Sequence, residues 1–203
     1  MALSASEISN RVAASLEEGR RTLQDFISNP ANAEAITSMA RGLAAAFAGG
    51  NKVIACGNGG SACDAAHFAE EFTGRFRDDR APLPAISLTD GSHLTCVAND
   101  YGFEEVFARG VRAYGKPGDV LLGISTSGNS KNVIRAAEEA RKSGMKVHLL
   151  LGKSGGALRG KGDCELWVRS ERTERIQEVH MLALHIVIES VERILFPSNY
   201  PAE

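Results

Sequence analysis

The chain of 203 residues predicts an α/β fold: a five-stranded parallel sheet flanked by helices in three layers, flavodoxin-like, with a helical hairpin ahead of it. Three observations carry this expectation. Apolar side chains recur at helical spacing through the first 48 residues. From residue 52 onward, five short apolar runs alternate with helical stretches, as in parallel strands covered on both faces. Glycine–serine loops follow the first and third of these runs, where open α/β sheets collect their ligands.

Taken in order, Ile8, Val12, Leu16, Leu23 and Ile27 form one stripe at spacings of three, four or seven. Asn29 and Pro30 break that helix. A second helix carries Ile36, Met39, Leu43 and Phe47 on one side, and Gly49 with Gly50 stops it in the manner of a left-handed cap. Alone, the hairpin cannot bury its stripes, so residues 1–50 are expected to pack on the core or on a neighbouring subunit. The α/β domain is expected over residues 51–197. Its strands are predicted at 53–56, 85–88, 120–124, 147–151 and 165–168, and a last helix at 173–195, ending before Pro197. No internal repeat or low-complexity tract interrupts them.

Composition narrows the function classes. Charged residues make up 24% and hydrophobic ones 43%, enough apolar material to form a core and exclude disorder as the main state. No window approaches the roughly 18 consecutive apolar residues of a spanning helix. A net charge of −2 argues against a general binder of nucleic-acid backbones. Cys56, Cys63, Cys96 and Cys164 include no C-x-x-C pair, and Cys56 and Cys164, in apolar runs, read as buried thiols. The N-terminus lacks the basic and apolar segments of a signal peptide, so a cytoplasmic protein is expected.

Two loops and two helices carry the chemistry. Gly57, Asn58, Gly59, Gly60 and Ser61 lead from the first strand into a helix, with Ser61 and Asp64 spaced as a capping box. After the third strand, Ser125, Thr126, Ser127 and Ser130 place four hydroxyls within six residues ahead of another helix. Hydroxyls, free N–H groups and a helix dipole together suit a phosphate monoester. The lysine of a nucleotide-binding P-loop is absent from both loops.

His67 and Glu71 are four residues apart, about 40° around a helix, and share one side. A nitrogen and a carboxylate oxygen so placed suit a divalent metal such as zinc, although a surface pair is the plainer reading of the spacing alone. Gln177 and His185 are about 80° apart on the last helix and can converge. His180 and His185 are about 140° apart, so at most one of them joins a site; geometry alone leaves open which.

The run from Gly57 through His67 and Glu71 to Arg75 resembles the sugar isomerase (SIS) domain family of the phosphoheptose isomerases. So do residues 98–103, residues 123–130, and residues 175–180 followed by His185. The resemblance covers nearly the whole chain. It implies an aldose–ketose isomerase converting D-sedoheptulose 7-phosphate to D-glycero-D-manno-heptose 7-phosphate, which opens the ADP-heptose route to lipopolysaccharide core. It implies one zinc ion per subunit, held by His67, Glu71, Gln177 and His185. Substrate contacts are implied at Asn58, Gly59, Gly60, Glu71, Asn99, Asp100, Ser125, Thr126, Ser127, Ser130 and Gln177. A homotetramer with shared active sites follows by the same analogy, with Arg75 reaching a neighbouring site.

Ketose–aldose exchange through an enediol needs a base at carbon and an acid at oxygen. Glu71 is the candidate base and His185 the candidate acid. A non-catalytic adaptor of this fold that binds the replication initiator DnaA, or a phosphosugar-sensing regulator, needs no such His/Glu and Gln/His group. Another phosphosugar isomerase would share the phosphate grip, so the sugar's length is the least constrained expectation. No binding of nucleic acid or membrane is expected.

Overall fold

The structure is a computed structural model and describes residues 3–201. Helices α1 (Ala5–Ile27) and α2 (Pro30–Ala48) form the hairpin. Ser4 and Glu7 cap α1 reciprocally, and the Asn29 side chain caps α2 with Pro30 in its first turn. The left-handed stop of α2 falls on Gly50, at φ 75°; its N–H bonds to Phe47 O and that of Asn51 to Ala46 O, satisfying carbonyls the helix end leaves open.

The remaining elements are β1 (Val53–Gly57), α3 (Gly60–Thr73), β2 (Ala85–Ser87), α4 (Gly91–Tyr101), α5 (Val106–Tyr114), β3 (Val120–Ser125), α6 (Lys131–Lys142), β4 (Lys146–Gly152), β5 (Cys164–Val168) and α7 (Thr173–Leu195). All strand pairs are parallel, in the order β2-β1-β3-β4-β5. The five predicted strands and the last helix are present.

Period-two alternation assigns each strand's side chains to two cores. Val53, Ala55, Leu122 and Ile124 pack with Phe68 and Phe72 of α3, Met39 and Leu43 of α2, and Leu184 and Val187 of α7. Ile54, Cys56, Leu121, Leu149 and Leu151 face Phe107 and Val111 of α5 and Val133 and Ala136 of α6. Each face is thus sealed, which is why the strands read as continuous apolar runs.

The hairpin divides unevenly. α2 buries Met39, Leu43 and Phe47 against α7 and β5, whereas α1 buries only Thr22 and Phe26. Ile8, Val12, Leu16 and Ile27 of the predicted stripe are 50–71% exposed. The cysteine reading also needs one correction. Cys56 is buried, but Cys164 is half-buried on the edge strand β5, its Sγ 3.2 Å from Ala35 O.

The sheet order places the site. The chain moves outward from β1 to β2, then returns to the other side with β3. β1 and β3 are neighbours in register from Val53 opposite Val120 to Gly57 opposite Ile124. The loops at their carboxyl ends flank the crevice where connections diverge, the preferred ligand position in this architecture.

Candidate active site

The first loop winds directly into α3. Gly59 is its N-cap, at φ 55°, with no side-chain capping bond. The expected capping box of Ser61 and Asp64 is therefore absent. Ser61 is the second residue of the helix and is buried. Asp64 Oδ2 is buried with no hydrogen-bond partner. The glycines start the helix two residues earlier than serine chemistry suggests. Burial pushes the Asp64 carboxyl up to about 6.

Halfway along α3, His67 meets α7. His67 Nε2 lies 2.9 Å from His185 Nε2, across 118 positions of chain, and 3.4 Å from Glu71 Oε1. Ligand atoms of His67, Glu71 and His185 all lie within 4.8 Å of one another. Glu70 Oε1 stands 3.1 Å from His67 Nδ1, on the side of the ring away from this group. The Phe76 ring lies 5.7 Å from that of His185. Burial, then repulsion from Glu70, hold the Glu71 carboxyl above its usual range, against the pull of the two imidazoles.

Gln177 also lies along α3: its amide sits so close to Gly60 that a Cβ there would collide with it. α3 and α7 therefore run side by side in the same direction, with Gly60 beside Gln177 and His67 beside His185. His180 lies elsewhere. It is fully buried, its Nε2 3.1 Å from Leu151 O, and burial holds it down at about 4. Of the pair that helical geometry left open, His185 is the one beside His67 and Glu71.

The second loop gathers hydroxyls ahead of α6. Ser125 and Ser130 hydroxyls lie 2.9 Å apart, and Ser127 Oγ accepts the Asn129 N–H. Ser125 is buried, while Thr126, Ser127 and Ser130 are half-buried. Ser130 is the N-cap of α6 yet makes no side-chain capping bond. In contrast, side chains cap α1, α2 and α4. The loop after β4 braces the curve: Leu158 N–H bonds to Gly128 O and Ala157 N–H to Asn129 Oδ1. Gly128, at φ 65°, packs so closely on the Gly155 backbone that no side chain fits.

A strut joins the two loops. Asn58 Nδ2 donates to Asn132 Oδ1 at 2.9 Å, and Asn132 Nδ2 returns a bond to Asn58 Oδ1 at 2.8 Å. Both polar ends of the Asn58 amide are thereby occupied. Asn99 and Asp100 are exposed on the last turn of α4; their side chains bond to each other, and Cys96 Sγ lies 3.7 Å from Asp100. Arg75 is exposed beyond the end of α3.

Asn132, Glu70 and Phe76 were not singled out by sequence reasoning. Glu70 had a usable signal, since residues three apart on a helix are neighbours and His67 was already marked. Asn132 had none, because its partner lies 74 positions away.

A five-stranded parallel sheet with a hydroxyl-bearing loop after β3 and a His–Glu–His group between paired helices defines a sugar-phosphate isomerase of the SIS class. The family profile described as the SIS domain matches residues 16–152. The phosphoheptose isomerase of Fusobacterium nucleatum is 55% identical over 181 residues, covering 89% of this chain and 93% of that protein. The solved phosphoheptose isomerase of Neisseria gonorrhoeae superimposes with a TM-score of 0.84 at 42% identity, covering 91% of this chain and 98% of that one. That of Francisella tularensis gives 0.87 at 37% identity, with 91% and 97% covered. The chain belongs to the phosphoheptose isomerase family and is an aldose–ketose isomerase.

Proposed function

We propose that the chain converts D-sedoheptulose 7-phosphate to D-glycero-D-manno-heptose 7-phosphate, with one zinc ion per subunit, as the first step toward ADP-heptose and lipopolysaccharide core. The observation that carries this reading is the convergence of His67, Glu71 and His185, with Gln177 of the same helix beside the first loop at Gly60. Two imidazole nitrogens facing each other beside a carboxylate make a donor set of the kind zinc takes. Gln177 is the proposed fourth ligand, offering its amide oxygen. Bound zinc supplies Lewis acidity, polarising the sugar carbonyl and stabilising negative charge on oxygen.

The chain's own residues do the rest. Glu71 takes the proton from one carbon and returns it to the neighbouring one. His185 exchanges protons at the oxygens. Glu70 beside His67 Nδ1 favours the tautomer that leaves Nε2 free as a ligand. Ser125, Thr126, Ser127, Ser130 and the open start of α6 hold the phosphate; this remote binding energy places the reacting carbons. Gly59, Gly60 and the Asn58 backbone line the sugar's path, and Gln177 and Glu71 touch it.

Asn99, Asp100 and Arg75 are exposed on a single protomer, as residues completing a neighbour's site would be. The uncovered stripe of α1, with Leu182 and Ile186 of α7 also exposed, supports a homotetramer with shared sites. We divide the chain into the hairpin at 1–50 and the isomerase domain at 51–197, and we place it in the cytoplasm. No described helix is long and apolar enough to cross a membrane.

The test is incubation of zinc-loaded protein with sedoheptulose 7-phosphate, followed by NMR. Appearance of the aldose heptose phosphate supports the reading. No turnover of this ketose, alongside turnover of a pentose or hexose phosphate, would move the assignment to a shorter sugar. No turnover of any of them, with binding of the replication initiator, would make the chain an adaptor.

A further inference from the structure

Beyond the candidate ligands, the most deeply buried charge pair in the described residues joins the two helices that carry them. The Arg80 and Glu192 side chains are 1% and 2% exposed, with Nε donating to Glu192 Oε1 at 2.8 Å. Tyr200, past the end of α7, donates its hydroxyl to Glu192 Oε2 at 2.6 Å. The other guanidinium nitrogens serve the end of α3. Nη2 donates to Glu71 O at 2.7 Å, and Nη1 to Phe72 O at 2.8 Å, Gly74 O at 3.0 Å and Ala81 O at 3.3 Å.

Stability is a weak explanation for such a pair. Removing two charges from water costs about as much as their attraction returns, and apolar replacements of similar volume are often neutral or stabilising. What the pair supplies is direction. Apolar packing lets parallel helices slide or tilt, whereas a planar fork bonded to two backbone carbonyls of α3 and one carboxylate of α7 fixes their relative position. One of those carbonyls belongs to Glu71 itself. Glu192 lies about two turns beyond His185, so the clamp closes just past the His67–Glu71–His185 group. The contact of Gln177 with Gly60 closes the other end. Arg80 also holds the segment that lays Phe76 against His185, and Arg77 of that segment bonds to Glu189 at 2.9 Å.

We propose that Arg80, through Glu192 and Tyr200, is a positioning residue for the metal group: it sets the spacing of α3 and α7, and thereby the affinity and coordination geometry of the bound cation. The proposal rests on the reading of His67, Glu71 and His185 as ligands. Metal–ligand distances tolerate only about 0.2 Å, so a small shift between these helices is felt at the ion.

The experiment compares the full-length protein with Arg80→Lys and with the double variant Arg80→Met/Glu192→Met. Zinc affinity is read by chelator competition, cobalt(II) coordination by visible absorption, and fold by thermal unfolding of the metal-free protein. The double variant is expected to fold with a lowered unfolding temperature, since it strands the Glu71, Phe72 and Gly74 carbonyls and the Tyr200 hydroxyl, and to bind zinc about 10–100-fold more weakly, with an altered cobalt spectrum. Arg80→Lys keeps the charge but not the fork. It decides the matter if the double variant does not fold, and a weakening of zinc binding of about tenfold is expected. Wild-type zinc affinity and an unchanged cobalt spectrum in a folded variant would overturn the proposal. Failure of the wild-type protein itself to bind zinc or cobalt would instead overturn the ligand reading beneath it.

Discussion

The two sides of the crevice are built by opposite strategies. The anion loop is local: its hydroxyls come from Ser125 through Ser130, and its shape from glycines and backbone bonds. The proposed metal side is assembled: His67 and His185 meet across 118 positions, and only the packing of α3 on α7 brings them together. A local loop distributes its grip over many donors, so losing one weakens it by degrees. An assembled group of few side chains has no spares.

That contrast predicts the largest effect at Glu71. Replacing it with Gln keeps size and a possible ligand oxygen but removes the base. The expected loss in kcat is about 100- to 10,000-fold, with KM little changed. Steady-state kinetics on the metal-loaded protein check this. A variant with near-normal kcat and a raised KM would turn the division of labour around.

Burial chemistry separates the two sides as well. The second turn of α3 holds a buried carboxyl with an unpartnered oxygen, that of Asp64, with its pKa raised to about 6 by burial. An unfolded carboxyl titrates near about 3.9. Between those values the folded state binds the extra proton, so this group's ionisation reduces stability as pH rises through the window. Asp64→Asn should therefore stabilise the metal-free protein at pH 7, and hardly at all at pH 4. The buried imidazoles of His148 and His180, both held down at about 4, work the other way: below about 6.5 their protonation favours the unfolded chain. They are common to both proteins and cancel in the difference. A difference in stability that does not grow between pH 4 and 6.5 would contradict the assignment to Asp64.

Legibility in the sequence follows the same division. The strands, the last helix and the hydroxyl loop were readable because each rests on neighbours in sequence: apolar runs, glycine stops, clustered hydroxyls. The spacing of His67 and Glu71 was readable too, but a surface pair was its plainer reading, and the family resemblance had to raise it. Rotation about one helix left His185 and His180 open, since it says nothing about what faces them; the resemblance named His185, and the docking of α7 puts it beside His67. The capping box misled because Ser61 and Asp64 have the right spacing, while Gly59 already starts the helix. The α1 stripe pointed to burial that one protomer does not provide; periodicity marks an apolar face without saying which chain covers it.

Asn132 tests whether the two sides are independent. Its paired amide bonds with Asn58 join the loops, and its Oδ1 also accepts the Val133 N–H. Asn132→Leu keeps the volume and strands the Asn58 amide. A loss of about 1–3 kcal/mol in stability is expected. Because the strut links both loops, KM and kcat should worsen together, unlike the clean split at Glu71. A change in KM alone would mean that the strut serves the anion loop and leaves the sugar end untouched.

The smallest effect belongs to Ser127→Ala. Ser127 is half-buried, and its Oγ accepts the Asn129 N–H at 3.1 Å, so it helps set the curve as well as offering a donor. Ser125, Thr126, Ser130 and the uncapped start of α6 remain to hold a phosphate. Loss of one shared hydrogen bond costs about 1 kcal/mol. That corresponds to a KM raised about fivefold, with kcat unchanged, because the phosphate sits away from the reacting carbons. Inorganic phosphate, tested as a competitive inhibitor, should weaken by the same factor, since it reports on the loop without the sugar. If phosphate inhibition held steady while kcat fell, the serine would belong to the reacting end, and the two sides of the crevice would share one pool of groups.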